Sequence, residues 1–187
     1  MSKNMHKMFD TLRGLMNPIP VGDRYKADPF AVVIGGYVSI KGHLCKVEDI
    51  YTYSYKKEKW NEFKLYDIVE DKTIFLEFEM DDTLSFSLSE DKLPTRRMPV
   101  TYSEIEYMVD AEKGSFEFEG NTFYYEDDYF AKFRRMSDPD KKEKVAIYEF
   151  ESEDGECFTV ERWNEDDFEA FHSVGFNARD FEIISLD

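Results

Sequence analysis

Three pairs of adjacent aspartates, Asp81–Asp82, Asp127–Asp128 and Asp166–Asp167, are the first residues in this 187-residue chain whose types suggest chemistry. Clustered carboxylates bind hard cations such as magnesium or calcium through oxygen. Two carboxyls held at a defined separation can also hydrolyse a glycosidic bond. The segments around these pairs lack the alternating D-x-D-x-D-G order of a calcium loop, so solvated turns are their expected role. His6, His43 and His172 are the only histidines, and Cys45 and Cys157 the only cysteines. Their spacing matches no zinc site, and two buried free thiols are expected. There is no G-x-S-x-G elbow, no P-loop and no G-x-G-x-x-G turn. No catalytic residue, cofactor or metal ligand is assigned on this basis, and the reading leans away from an enzyme.

Charge narrows the partners. The chain carries 24 basic and 41 acidic residues, a net −17. A body this acidic is repelled by a phosphate backbone and by anionic membrane surfaces, so nucleic acid is excluded and peripheral membrane contact disfavoured. The scarce lysines are bunched. Lys56, Lys57 and Lys59 precede one segment, and Lys141, Lys142 and Lys144 precede another like it. Two cationic tips could orient the molecule on an acidic partner. They could equally serve solubility and discourage edge-to-edge pairing.

The N-terminal segment is amphipathic at helical period. Met5, Met8, Phe9, Leu12, Leu15 and Met16 follow the spacing of one apolar face, and Asn17–Pro20 ends it. A short helix must pack on something to be ordered. Its own sheet, a protein partner or a second copy of the chain would serve, and the proline break, read as a hinge, favours a partner. The segment does not resemble a signal peptide, and the longest uncharged run nearby, "PFAVVIGGYVSI", is too short to span a bilayer. A cytoplasmic protein is expected.

After Pro20 the period switches to two. About five strands are expected before the connection at Pro94 and Pro99, and Thr101 with Glu104 forms a capping box for a helix closed by Gly114. Strands then resume to the end. "KEKWNEFKLYDIVEDKTIFLEFEMDD" (57–82) and "KEKVAIYEFESEDGECFTVERWNEDD" (142–167) share length, opening and ending, and Gly42 and Gly120 occupy similar turns upstream of them. Two related units account for this. A one-residue gap in the turn would align Glu77 with Glu161 rather than Arg162, and such a slip exchanges the two faces of a strand. The expected fold is mainly β: two similar antiparallel sheet or barrel-like units, an N-terminal helix and a connecting helix. The corresponding sections are 1–20, 21–95 and 96–187.

Trp60-x-Glu62 on one extended segment and Glu161-x-Trp163 on a later one carry a resemblance. With "GGYVSIKGHLCKVEDIYTYSY" and the C-terminal run to "RDFEII", they are similar to a bacterial family known as domain of unknown function 4178. The resemblance implies a cytoplasmic bacterial protein and no established chemistry, so no site residue is carried over. Two functions follow as expectations. The preferred one is a non-catalytic interaction or accessory module that binds another protein or an assembly. The other is a binder, or an enzyme, with an acidic aromatic-lined cleft for a cation such as a polyamine. A deep pocket with inward-facing carboxylates would distinguish the second from the first.

Overall fold

The computed structural model describes residues 3–15, 17–80, 82–90, 92–93 and 95–187. Met16, Asp81 and Pro94, singled out above, lie outside the described residues. The chain is mainly β, as its alternation implies. The first half forms β1 (Tyr37–Ile40), β2 (His43–Tyr55), β3 (Glu58–Asp67), β4 (Lys72–Met80) and β5 (Leu84–Glu90). The second half forms β6 (Ser115–Phe118), β7 (Asn121–Arg135), β8 (Asp138–Ser152), β9 (Cys157–Arg162) and β10 (Phe168–Gly175). A last strand, β11 (Phe181–Ser185), follows. The helices are α1 (Lys3–Gly14) and, between the halves, α2 (Tyr102–Ala111). α2 starts with the expected capping box: the Thr101 N–H donates to Glu104 Oε2 at 2.8 Å, and the Glu104 N–H donates to the Thr101 hydroxyl. Just past its end, Gly114 sits at φ +146, where a Cβ would collide with Met108 Cγ, so only glycine fits.

All strands pair antiparallel, in the order β2-β3-β4-β5-β10-β9-β8-β7, and β7 returns to pair with β2. The sheet therefore closes on itself. β2 and β7 each have two partners along their edge. Their first residues pair with the short strands β1 and β6, and their last residues pair with each other. A bulge bends each strand where the partner changes, between Val47 and Asp49 in β2 and between Tyr125 and Asp127 in β7. The preceding turns match too: Lys41–Gly42 and Glu119–Gly120 all have positive φ, as a two-residue hairpin requires. The strands that close the ring meet at equivalent places. Counted from the matched glycines Gly42 and Gly120, Ser54 and Lys132 hold the same position in their halves, and they oppose each other. Counted from Glu77 and Glu161, Ser89 and Ser173 also hold the same position, and they too are opposed. The two halves are thus arranged about an approximate two-fold, and they enclose one interior.

The outer face of this wall is apolar and covered. Phe63, Leu65, Leu76 and Phe78 of the first half pack against Val38, Phe176, Phe181 and Ile183. In the second half Phe123, Phe150, Phe158 and Val160 pack beneath Ile105 and Met108 of α2. Each such buried Phe or Leu contributes about 1.5–3 kcal/mol. With most of the apolar burial outside the ring, the inner face carries polar groups beside a smaller apolar cluster of Tyr53, Trp60, Phe133 and Ile147.

Candidate functional site

On β3 the residues alternate between faces, and Trp60 and Glu62 point inward while Asn61 and Phe63 point outward. On β9, Thr159 and Glu161 point inward while Phe158 and Val160 point outward. The spacing of two residues in Trp-x-Glu and Glu-x-Trp therefore places all four side chains on the interior. This also settles the register of the repeated segments. Glu77 and Glu161 share the inner face, whereas Arg162 lies outside over the rings of Tyr102 and Phe168. The one-residue gap falls in the turn between the paired strands.

Neighbouring strands bring the carboxyls together. Glu62 directly opposes Glu77, and Glu161 opposes Glu169. Glu62 and Glu161 are only 8% and 5% exposed, and among the described residues neither they nor Glu77 make an ion pair. Like charges opposed across strands are destabilising. The proton balance responds accordingly. Burial, reinforced by Glu161 and Glu77, holds the Glu62 carboxyl well above the usual carboxylate range. Burial, with the charges of Glu149 and Glu79, pushes Glu77 up to about 7. Burial pushes Glu161 up to about 8, a rise that the neighbouring Tyr53 hydroxyl partly offsets. Glu149 is also raised, chiefly by burial, despite accepting a hydrogen bond from the Tyr129 hydroxyl at 2.6 Å.

Aromatic rings complete the lining. Tyr53 stacks on Trp60 with centroids 5.3 Å apart and planes 2° from parallel, and Tyr129 meets Trp60 edge-on at 6.2 Å. The interior divides into two chambers that share Glu161. One, of about 170 Å³, is lined by Glu77, Glu149, Glu151, Trp60 and Tyr129 and by no Lys or Arg among the described residues. The other, of about 360 Å³, opens between Tyr51, Glu62, Lys92, Arg135, Trp163 and Glu169. Such a set of buried, protonatable carboxyls beside ring faces can bind a cation and release protons as it does so.

Of the residues expected to bind partners, only Lys141 lines the interior, in the larger chamber, and the others lie elsewhere. Met8 and Leu12 of α1 pack on Leu44, Ile68 and Ile184, while Met5 and Phe9 stay 37% and 38% exposed. Lys56 and Lys57 form the exposed β2–β3 turn, with Lys59 next to it on β3. Lys141, Lys142 and Lys144 are not at the matching tip. The β7–β8 turn is at Met136–Ser137, and these lysines lie along β8 because its ladder with β7 extends to Asp138. Cys45 is buried, but Cys157 is exposed at the start of β9, and both thiols are free. Asp82, Asp127, Asp166 and Asp167 are exposed, and Asp128 accepts from the Tyr125 hydroxyl. Among the described residues no three His, Cys, Asp or Glu side chains are placed to hold a metal ion, and no helix is long and apolar enough to cross a membrane. Of the interior carboxyls outside the two Trp motifs, sequence named Asp167 in an aspartate pair and Glu77 in the alignment, and singled out neither Glu149, Glu151 nor Glu169. The signal for Glu77, Glu149 and Glu151 was a Glu alternating with large apolar residues in "FLEFEM" and "YEFE".

The molecule is thus a closed antiparallel barrel with an acidic, aromatic interior. Residues 33–175 match the family model for Domain of unknown function (DUF4178), and the chain belongs to that family. Comparison with curated proteins and with solved structures returned no match.

Proposed function

We propose that this protein binds a small organic cation of the polyamine class inside its barrel, without catalysing a reaction. The observation that carries the reading is the convergence of Glu62, Glu77 and Glu161 on one interior beside Trp60, Tyr53 and Tyr129. Carboxyls removed from water without a counter-charge are costly, by several kcal/mol per ionised group. A protonated amine supplies that counter-charge, and the ring faces add about 0.5–2 kcal/mol of cation–π attraction. The smaller chamber, about 170 Å³, suits an alkylammonium end rather than a drug-sized molecule.

Thermal melting with spermidine tests the reading. A ligand at a hundred times its dissociation constant stabilises by about 2.7 kcal/mol, which is about 5–10 °C for a protein of this size. The expected shift persists at 0.15 M salt. No shift, or one that vanishes with salt as polycations leave a −17 surface, counts against it.

A second reading, an accessory module that meets another protein or a second copy through α1 and the lysine clusters, is favoured by the exposed Met5 and Phe9. Phe9→Asp should then abolish partner retention and leave the melting point of the isolated protein within about 2 °C. Retention unaffected by Phe9→Asp counts against this reading.

A further inference from the structure

The larger chamber holds two features that an amine does not explain. Among the described residues, the Nε of Arg135 and the Nε1 of Trp163 are buried N–H donors with no acceptor. Both residues line the same chamber. Buried donors are almost always paired, so two orphans in one cavity point to an acceptor that belongs there. Arg135 is the more telling. It comes from the end of β7, opposite Tyr51, and its guanidinium lies 5.6 Å from the ring centroids of both Tyr51 and Phe133. In a chain with 41 acidic residues it makes no ion pair among the described residues. Its cationic neighbours differ, since Lys92 pairs with Glu169 and Lys141 with Glu143. Cation–π contact with both rings holds the Arg135 guanidinium in the chamber.

A planar guanidinium in contact with two rings, with an indole N–H in the same chamber, fits the two oxygens of a carboxylate. A plain anion would be opposed by Glu62 and Glu161, carboxyls of the same chamber that no Lys or Arg neutralises among the described residues. A molecule bearing both groups satisfies each side. We propose that the larger chamber binds a small zwitterion, an amino-carboxylate, with its carboxylate on Arg135 and Trp163 and its ammonium toward Glu62 and Glu161. The ammonium half rests on the cation-binding reading above, and the carboxylate half rests on Arg135 and Trp163 alone. The volume of about 360 Å³ lies at the small end of ligand pockets, as such a molecule requires.

The test is calorimetric titration with unbranched ω-amino acids of two to six carbons, each beside the diamine and the monocarboxylate of equal length. At least one amino acid should bind tenfold or more tightly than either matched control. Arg135→Gln and Trp163→Phe should each weaken it about tenfold while changing diamine affinity less than twofold. Trp163→Phe keeps an aromatic side chain while removing the N–H donor, so it guards against loss of fold in the arginine variant. The chain has two tryptophans, hence two indole N–H resonances, and the one lost in Trp163→Phe should move on adding the amino acid. Diamines binding more tightly than every amino acid overturns the carboxylate subsite and leaves the cation reading standing. Binding of no compound overturns both. Amino-acid affinity unchanged in both variants overturns the assignment of Arg135 and Trp163.

Discussion

The two chambers of the barrel are built from matching positions, yet they present opposite chemistry. Tyr51 in the larger corresponds to Tyr129 in the smaller, each standing at the same remove from its hairpin glycine, Gly42 or Gly120. The shared Glu161 corresponds to Glu77 through the repeated segments. The differences sit around this common frame. Glu62 is matched by Ile147 and Phe171 by Ser87, and only the larger chamber gains Lys92, Arg135 and Lys141. The two-fold arrangement of strands thus fixes where side chains point but not which charge they carry. A single scaffold holds one end suited to a cation alone and one end suited to a ligand with both charges.

The largest effects should come from two carboxyls of the smaller chamber, Glu161, which the larger chamber shares, and Glu77, which it does not. Glu161→Gln should weaken spermidine binding by at least about a hundredfold, since removing one partner of a buried charge pair costs about 3–5 kcal/mol. Glu77→Gln should do the same for spermidine and leave ω-amino acid binding within about threefold, about 0.7 kcal/mol. Equal losses for both ligands in Glu77→Gln would break the distinction between the chambers.

The next effect is on stability against pH. The carboxyls of Glu77 and Glu161 are raised to about 7 and about 8 from an ordinary 4.5. Glu62, Glu149, Glu169, Lys92 and Tyr53 face them and share the balance. Between pH 4.5 and 8 the folded chain therefore holds more protons than the unfolded one. Their contribution is complete below pH 4.5 and is lost as pH rises through 7 and 8. Urea unfolding at pH 5.5 and 8.5 should show the wild type weaker at the higher pH, and the Glu77→Gln, Glu161→Gln double variant should lose most of that difference. Spermidine affinity should run the other way and rise over the same interval. Flat stability from 5.5 to 8.5 would mean that the interior carboxyls stay solvated.

Smaller effects separate the coverings of the two halves. Leu12→Asp, under α1, should cost about 1–3 kcal/mol by placing a carboxylate among Leu44, Ile68 and Ile184. Thr101→Ala, at the start of α2, should cost about 1 kcal/mol through loss of the cap. Denaturant midpoints measure both, and no change in Leu12→Asp would detach α1 from the body and strengthen the case for a partner.

Much of this architecture is legible along the chain because its signals are local. Alternation in "TIFLEFEM" and "VAIYEFE", the glycine turns at Gly42 and Gly120, and the Thr101–Glu104 box each depend on residues a few positions apart. Closure is not legible. The pairing of Ser54 with Lys132 and of Ser89 with Ser173 joins distant segments with no local mark. The register of Glu161 against Glu77 turned on one residue in a turn, and either face was compatible with the pattern until the pairing was known. The Lys141–Lys144 cluster misled for a related reason. A run of charges reads as a loop, but solvent-facing residues extend a strand when its partner continues beside it.

Titration calorimetry with spermidine at pH 7.5 and 0.15 M salt, repeated in two buffers of different ionisation enthalpy, addresses the interior most directly. Glu77 and Glu161, raised to about 7 and about 8, are part-protonated there, so a cation seated among them must displace protons. The expected result is saturable binding at one site per chain, with a heat that differs between buffers in the sense of proton release, and with both features lost in Glu161→Gln. Heats that do not saturate, or saturable binding without proton release and unchanged in Glu161→Gln, would contradict a cation site inside the barrel.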